Sequence, residues 1–137
     1  MNNKKVLIVE DDADVRLGYR ILLQANHYDT VLAADAIGAI SEASKHALDL
    51  IVLDLGLPAG DGFVVLEKLQ ANPQLSMIPV IVVSGRDLHA NKEHALKAGA
   101  SAFVQKPWND DELLALISQL VSRPVDFVSI VPNTDGS

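Results

Sequence analysis

The chain has 137 residues, carries a net charge of −7 and contains no cysteine. Its length suffices for one domain with its own hydrophobic core, and the missing cysteines exclude a disulfide framework and a thiol nucleophile. Because acidic residues outnumber basic ones by 18 to 11, we expect neither a surface that grips nucleic acid nor one that binds an anionic membrane.

The first apolar run, Val6–Val9, predicts a strand that is buried on both faces. Three acidic residues follow it directly, so the run is too short for the apolar part of a signal peptide. No other run approaches the ~18 apolar residues that a membrane-spanning helix needs. We therefore expect a cytoplasmic protein.

Four more apolar runs predict strands, and a helical pattern separates each strand from the next. The strands are expected at Tyr28–Ala33, Leu50–Leu53, Val80–Val83 and Ala102–Gln105. Asp12, Asp35 and Asn109 are well placed as helix N-caps, and two further helices are expected at Gly62–Ala71 and Leu88–Lys97. Strand and helix thus alternate five times, which predicts a parallel sheet with helices on both faces.

The spacing of apolar residues also predicts which helix positions face the sheet. In the second helix these positions are Ala36, Ile40, Ala43 and Ala47. In the first helix Leu17 and Ile21 fall on the opposite side, so we expect both of them to be exposed to solvent.

Polar residues of compatible chemistry follow four of the predicted strands. Glu10 and Asp11 follow the first strand, Asp54 the third, Ser84 the fourth and Lys106 the fifth. Parallel sheets bind ligands beyond the carboxyl ends of their strands, so we expect these five side chains to meet at one edge. Each residue alone is more often solvated or part of a plain turn, but their joint occurrence favours a functional site.

Three carboxylates in one cleft repel each other. A pair about 4 Å apart costs on the order of 4 kcal/mol at an effective dielectric constant near 20, so the cluster must protonate, spread apart or hold a cation. Oxygen ligands without nitrogen or sulfur suit magnesium, and the scattered histidines are expected at the surface: His27, His46, His89 and His94. With such an ion in place, Asp54 can attack a phosphoryl group while Lys106 offsets the charge on the transferred oxygens.

Four sequence blocks resemble the signature blocks of the receiver domains of two-component response regulators. They are Val9–Asp12, Leu53–Pro58 with Asp61-Gly62, Val83–Gly85 and Gln105–Pro107, and the similarity extends from about Lys4 to Val121. The resemblance implies an α/β, flavodoxin-like (βα)₅ fold: a doubly wound, parallel, five-stranded sheet of order 2-1-3-4-5 in three α/β/α layers. Residues 1–123 would form the receiver domain, and residues 124–137 a C-terminal tail or the start of a linker.

The resemblance further implies a role in phosphorelay signal transduction. Asp54 would accept phosphate from a histidine kinase or a histidine phosphotransfer protein. Mg²⁺, with Mn²⁺ as the alternative, would be bound by Asp11 and Asp54, by Glu10 through water, and by the backbone carbonyl of Gly56.

The same resemblance implies how the phosphate would be sensed. Ser84 and Lys106 would contact the phosphoryl group, and Lys106-Pro107 would be a cis peptide. Phe103 would be the switch aromatic, and its rotation would change the surface of the fourth helix, fifth strand and fifth helix for a downstream protein. We expect a monomer or weak homodimer with no nucleic-acid reader and no membrane anchor within these residues.

Three alternatives remain at this point. A magnesium-dependent phosphohydrolase of the haloacid-dehalogenase type would need a second aspartate two residues after the nucleophile, where this chain has Gly56. A flavin-binding module would need a phosphate loop after the first strand, where Glu10–Asp12 would repel a phosphate. The third is a receiver domain cut from a longer regulator or from a hybrid kinase.

Overall fold

Five short parallel strands form the centre of the molecule. The structure is a computed structural model, and it describes residues 3–58, 61–85 and 88–122. The strands are β1 (Lys5–Val9), β2 (Asp29–Ala33), β3 (Leu50–Asp54), β4 (Val80–Ser84) and β5 (Ala102–Gln105). They pair in the order β2-β1-β3-β4-β5, as the resemblance implied, and each lies within one residue of its predicted bounds.

In the described part of the chain, four helices connect the strands and a fifth follows β5. They are α1 (Ala13–Ala25), α2 (Ala36–Lys45), α3 (Asp61–Ala71), α4 (Leu88–Lys97) and α5 (Asp110–Val121). The predicted N-caps are confirmed, because the side chains of Asp12, Asp35 and Asn109 accept hydrogen bonds from backbone amides of the first helical turns. Within the described ranges, no helix is both long and apolar enough to cross a membrane.

The sheet separates two hydrophobic cores. Every residue of β3 and β4 is buried, which confirms the prediction drawn from their unbroken apolar runs. Leu7, Ile51 and Leu53 point to one core with helices α2, α3 and α4. Val6, Leu50 and their alternate neighbours point to the other core with α1 and α5. Helices therefore cover both faces of the sheet, which gives the three layers.

One prediction about α2 is wrong. The helix ends at Lys45 because His46 has an extended backbone, with φ −119° and ψ 149°. Ala47 therefore lies beyond the helix and is exposed, and Ala39 and Ala43 supply the buried contacts of α2.

On α1, by contrast, Leu17 and Ile21 are 52% and 61% exposed, as their spacing predicted. The proposed boundary at residue 123 stays a prediction, because residues 123–137 lie outside the described part.

Gly62 packs directly against the backbone that follows β3. A Cβ atom at this position would lie 2.7 Å from the Cα of Leu55 and 2.9 Å from the carbonyl oxygen of Asp54. Gly18, within α1, differs because a Cβ there would meet nothing within 4 Å.

We expect alanine at these two positions to have opposite effects on stability. Gly62→Ala should lower the free energy of unfolding by about 1–3 kcal/mol, because the backbone around Asp54 must shift to admit the methyl group. Gly18→Ala should raise it by roughly 0.5–1 kcal/mol, because it removes backbone freedom from the unfolded chain in an open helical site. Urea denaturation of both variants checks this, and a Gly62→Ala protein as stable as Gly18→Ala would contradict the packing argument.

Candidate functional site

Four strand ends meet in one cleft at the carboxyl edge of the sheet. Glu10 follows β1, Asp54 ends β3, Ser84 ends β4 and Lys106 follows β5. All four line a cleft of about 780 Å³, together with Asp11. The side chains that the sequence placed at this edge are thus brought together by the strand order, which makes β3 the neighbour of both β1 and β4.

Three carboxylates share the centre of the cleft. One oxygen each of Glu10, Asp11 and Asp54 lies within 4.8 Å of the others. Glu10 and Asp54 are buried, at 2% and 5% exposure, whereas Asp11 is exposed. Such a group of hard oxygen atoms is the donor set that Mg²⁺ prefers, and the open side at Asp11 leaves room for water ligands. The residues present therefore fit the metal that the resemblance implied.

Lys106 brings a cationic side chain into contact with the acids. Its Nζ atom lies 3.3 Å from Asp54 Oδ2 and 3.4 Å from Glu10 Oε1. Its backbone amide donates to the Ser84 carbonyl at 2.9 Å, and the Lys106-Pro107 peptide bond is cis. Burial disfavours the charged amine, but Asp54 and Glu10 outweigh burial and raise the pKa of Lys106, so the side chain is an ammonium group.

Glu10 is the carboxylate most affected by its surroundings. Burial is the largest cause that raises its pKa to about 7, and the charge of Asp54 adds to it. The amide of Asp12, which donates to Glu10 Oε2 at 3.1 Å, and the ammonium group of Lys106 act in the opposite direction. Without a divalent cation, the cluster therefore holds a proton on Glu10 over much of the range below neutral pH.

The carboxylate of Asp54 is oriented from two sides. The backbone amide of Gly56 donates to Oδ1 at 2.8 Å, and Lys106 donates to Oδ2. Both oxygens thus have a defined environment. The role of the Gly56 backbone carbonyl as a metal ligand stays a prediction.

Ser84 is buried, and its hydroxyl lies close to helix α4. Its Oγ atom accepts a hydrogen bond from Asn91 Nδ2 at 3.4 Å. Phe103 lies outside the cleft: it is half-buried, pairs with Val82 in the β4–β5 ladder, and packs against the core that includes α4. Its role as a switch residue stays a prediction.

Two features of the site were not found from the sequence. Arg16 Nη1 donates to the carbonyl oxygens of Glu10 at 2.7 Å and Asp11 at 3.3 Å. The rings of Tyr19 and Trp108 stack, with centroids 4.7 Å apart. The position of Arg16, four residues after the N-cap Asp12, was the available signal, since helical side chains point back toward the N-terminus.

None of the histidines whose side chains the structure describes takes part in the acidic cluster. His27 and His94 are exposed, as expected. His46 is half-buried instead, because its Nε2 atom lies 3.2 Å from Glu42 Oε1 on the preceding turn. The side chain of His89 lies outside the described part.

Comparisons with known proteins agree with each other. The family model for the response regulator receiver domain matches residues 6–118. The transcriptional regulatory protein KdpE of Mycobacterium tuberculosis is 37% identical over 118 residues, which are 86% of this chain and 51% of that protein. Response regulator PleD of Caulobacter vibrioides is 35% identical, over 85% of this chain and 26% of its own length. The chain thus spans about half the length, or less, of these relatives.

Two solved structures extend this similarity to three dimensions. The receiver domain of the Francisella response regulator 1452 is 31% identical with a TM-score of 0.81, over 88% of this chain and 98% of that one. The receiver domain of the sensor histidine kinase PA1611 of Pseudomonas aeruginosa is 26% identical with a TM-score of 0.81, over 88% and 99%. That second domain has a magnesium ion coordinated in its active-site cleft.

The raised pKa of Glu10 leads to a pH-dependent stability in the absence of divalent cations. The folded protein binds a proton at Glu10 up to about pH 7, whereas the unfolded chain releases it near 4.5. The free energy of unfolding should therefore fall as the pH rises between these values, by at most about 1.4 kcal/mol per pH unit. Urea denaturation with a chelator present measures this slope.

Glu10→Gln is the matched variant, because it keeps the shape of the side chain and removes the titration. We expect the slope between pH 5 and 7 to be smaller in this variant than in the wild type. Equal slopes in the two proteins would show that another group is responsible.

Proposed function

The chain belongs to the family of response regulator receiver domains, and from this premise we propose that Asp54 is the residue at which it accepts a phosphoryl group. The observation that carries the proposal is the position of Asp54: its carboxylate ends a buried strand and faces both the other acids and the ammonium group of Lys106. The donor would be a phosphohistidine of a histidine kinase or a histidine phosphotransfer protein, in the cytoplasm.

In the proposed reaction an oxygen of Asp54 attacks the phosphorus atom of the phosphohistidine. The new O–P bond forms as the N–P bond of the donor breaks, and the imidazole nitrogen leaves with the electron pair of that bond. The amide of Gly56 holds the plane of the attacking carboxylate through its bond to Oδ1. Lys106 turns from Asp54 to the transferred oxygens, where its charge offsets theirs.

Glu10, Asp11 and Asp54 would hold Mg²⁺, or Mn²⁺, with the carbonyl of Gly56 as a further ligand. When bound, the ion supplies positive charge against the transferred oxygens. The protein's own contribution is to keep three carboxylates close together although they repel each other, and Lys106 compensates part of that repulsion.

The proposed output is a change of the protein's own surface rather than turnover of outside substrates. Ser84 would move to hydrogen-bond the phosphoryl oxygens, and the space it leaves would let Phe103 rotate inward. Shifting such an equilibrium from 1:99 to 99:1 takes about 5.5 kcal/mol, which a few charge-assisted hydrogen bonds can supply. The surface formed by α4, β5 and α5 would then bind a downstream protein.

Leu17 and Ile21 support a docking site for the donor on α1. They are four residues apart on one side of the helix and are both more than half exposed. The helix begins at the acidic cleft, so a donor helix that contacts this side would lie close to Asp54.

The phosphohydrolase alternative finds less support. The position at which such an enzyme needs its acid/base carboxylate is Gly56, whose amide instead donates to Asp54. The alternative of a receiver domain within a longer regulator is consistent with the relatives, of which the chain covers about half or less.

We expect acetyl phosphate to label the protein at Asp54 in the presence of Mg²⁺. Intact-mass measurement should show the mass of one added phosphoryl group, with far less labelling when a chelator is present. Asp54→Asn should remain unlabelled because an amide cannot act as the nucleophile. An unlabelled wild-type protein with Mg²⁺ bound, or a labelled Asp54→Asn variant, would contradict the proposed function.

Ser84→Ala should separate phosphate acceptance from the response. Labelling at Asp54 should persist, because the hydroxyl does not take part in bond formation. The shift of the Phe103 ring resonances in the NMR spectrum on phosphorylation should be lost, and Ser84→Thr, which keeps a hydroxyl group, should restore it. A wild-type Phe103 signal that does not change on phosphorylation would contradict the proposed coupling.

A further inference from the structure

The turn between β1 and α1 carries two of the three clustered carboxylates. The amide of Glu10 continues the ladder to β2 by donating to the Ala33 carbonyl at 3.0 Å. The carbonyl oxygens of Glu10 and Asp11, however, both accept from the guanidinium group of Arg16. One side chain of α1 thus holds the backbone of both acidic residues.

The position of the Glu10 carboxylate depends on the same turn. Its Oε2 atom accepts from the amide of Asp12, so a rotation of the turn would move the carboxylate as well. Asp12 in turn caps α1, since its Oδ1 atom accepts from the amides of Asp14 and Val15. Arg16 belongs to the same first helical turns, and its amide donates to the Asp12 carbonyl at 2.9 Å. The turn, the cap and the arginine therefore form one hydrogen-bonded unit.

We propose that Arg16 is a positioning residue for the divalent cation: it binds no metal itself, but it fixes the backbone from which Glu10 and Asp11 reach the ion. The inference rests on the proposed function. The contact at 2.7 Å is a short, charge-assisted hydrogen bond. Groups that orient metal ligands in this way commonly change metal affinity by about 10–100-fold when removed.

The charge of Arg16 acts in the opposite direction. A guanidinium group bound to the backbone of two acidic residues lowers the local negative potential, so its removal would strengthen cation binding if charge alone decided the outcome. Asp11 is exposed, and solvent screens its interactions with other charges. The loss of geometry, by contrast, affects two of the three carboxylates at once. We therefore expect positioning to outweigh charge.

Arg16→Met and Arg16→Lys separate the two effects, with Arg20→Met as the matched control. Arg20 is exposed one turn further along α1 and carries the same charge. It is a suitable control because the carbonyl oxygens of Glu10 and Asp11 accept their hydrogen bonds from Arg16. We expect Arg16→Met to weaken Mg²⁺ binding about tenfold in calorimetric titration. Arg16→Lys, which keeps the charge but not the reach and geometry of the guanidinium group, should also weaken it, and Arg20→Met should leave it within about twofold of the wild type.

A second measurement does not depend on metal. Hydrogen exchange at the Asp12 amide should be faster in metal-free Arg16→Met than in the wild type and unchanged in Arg20→Met, because that amide loses its fixed partner on Glu10. Circular dichroism establishes whether each variant is folded. If Arg16→Met is unfolded, the test rests on Arg16→Lys. Mg²⁺ binding as tight as in the wild type, or tighter, in the folded Arg16 variants would overturn the proposal.

The outcome is separable from that of the proposed function. Wild-type protein that is labelled by acetyl phosphate, together with Arg16 variants of unchanged Mg²⁺ affinity, contradicts the role of Arg16 alone. Wild-type protein that binds Mg²⁺ but takes no label contradicts the function of Asp54 and leaves the role of Arg16 in cation binding to be decided by the affinities.

Discussion

Two buried carboxylates and one shared ammonium group determine the character of this molecule. Glu10 and Asp54 lie where water is largely excluded, and Lys106 Nζ lies within 3.4 Å of an oxygen of each. Among the described residues, one ammonium group cannot fully balance the three clustered acids, so the site either retains a proton or attracts another cation. Because the carboxylates repel each other, the cleft can gain or lose a proton or a cation at small cost in free energy. This property suits a reversible modification.

The sheet maintains this arrangement against the repulsion. β3 lies between β1 and β4, and all its residues are buried, so Asp54 cannot move away from Glu10 without disturbing both cores. Gly62 adds a second constraint, because the backbone around Asp54 packs against it with no room for a methyl group. The hydrophobic effect thus fixes the strands, and the strands fix the positions of the charged groups at their ends.

Much of this could be predicted from the sequence, because unbroken apolar runs locate the buried strands and a parallel sheet gathers their carboxyl ends. Asp54 and Lys106 follow from that rule alone, and the strand order and the family followed from a resemblance that the comparisons confirm. Ala47 was misplaced because apolar spacing continues past the point at which the backbone of His46 becomes extended. The position of Arg16 indicates a side chain that points back toward the N-terminus of α1, but residue spacing does not specify that it contacts the carbonyls of Glu10 and Asp11. The roles of Ser84, Phe103 and Gly56 remain predictions.

The stacked rings of Tyr19 and Trp108 have a mechanical consequence. Tyr19 belongs to α1 and is fully enclosed, and Trp108 follows the Lys106-Pro107 bond, so the stack joins the first helix to the segment that carries the lysine. Within the described part of the chain, the enclosed hydroxyl of Tyr19 has no hydrogen-bond partner, so shape and ring contact hold the pair together. A displacement of α1 would therefore press through this stack on the backbone segment that follows the lysine.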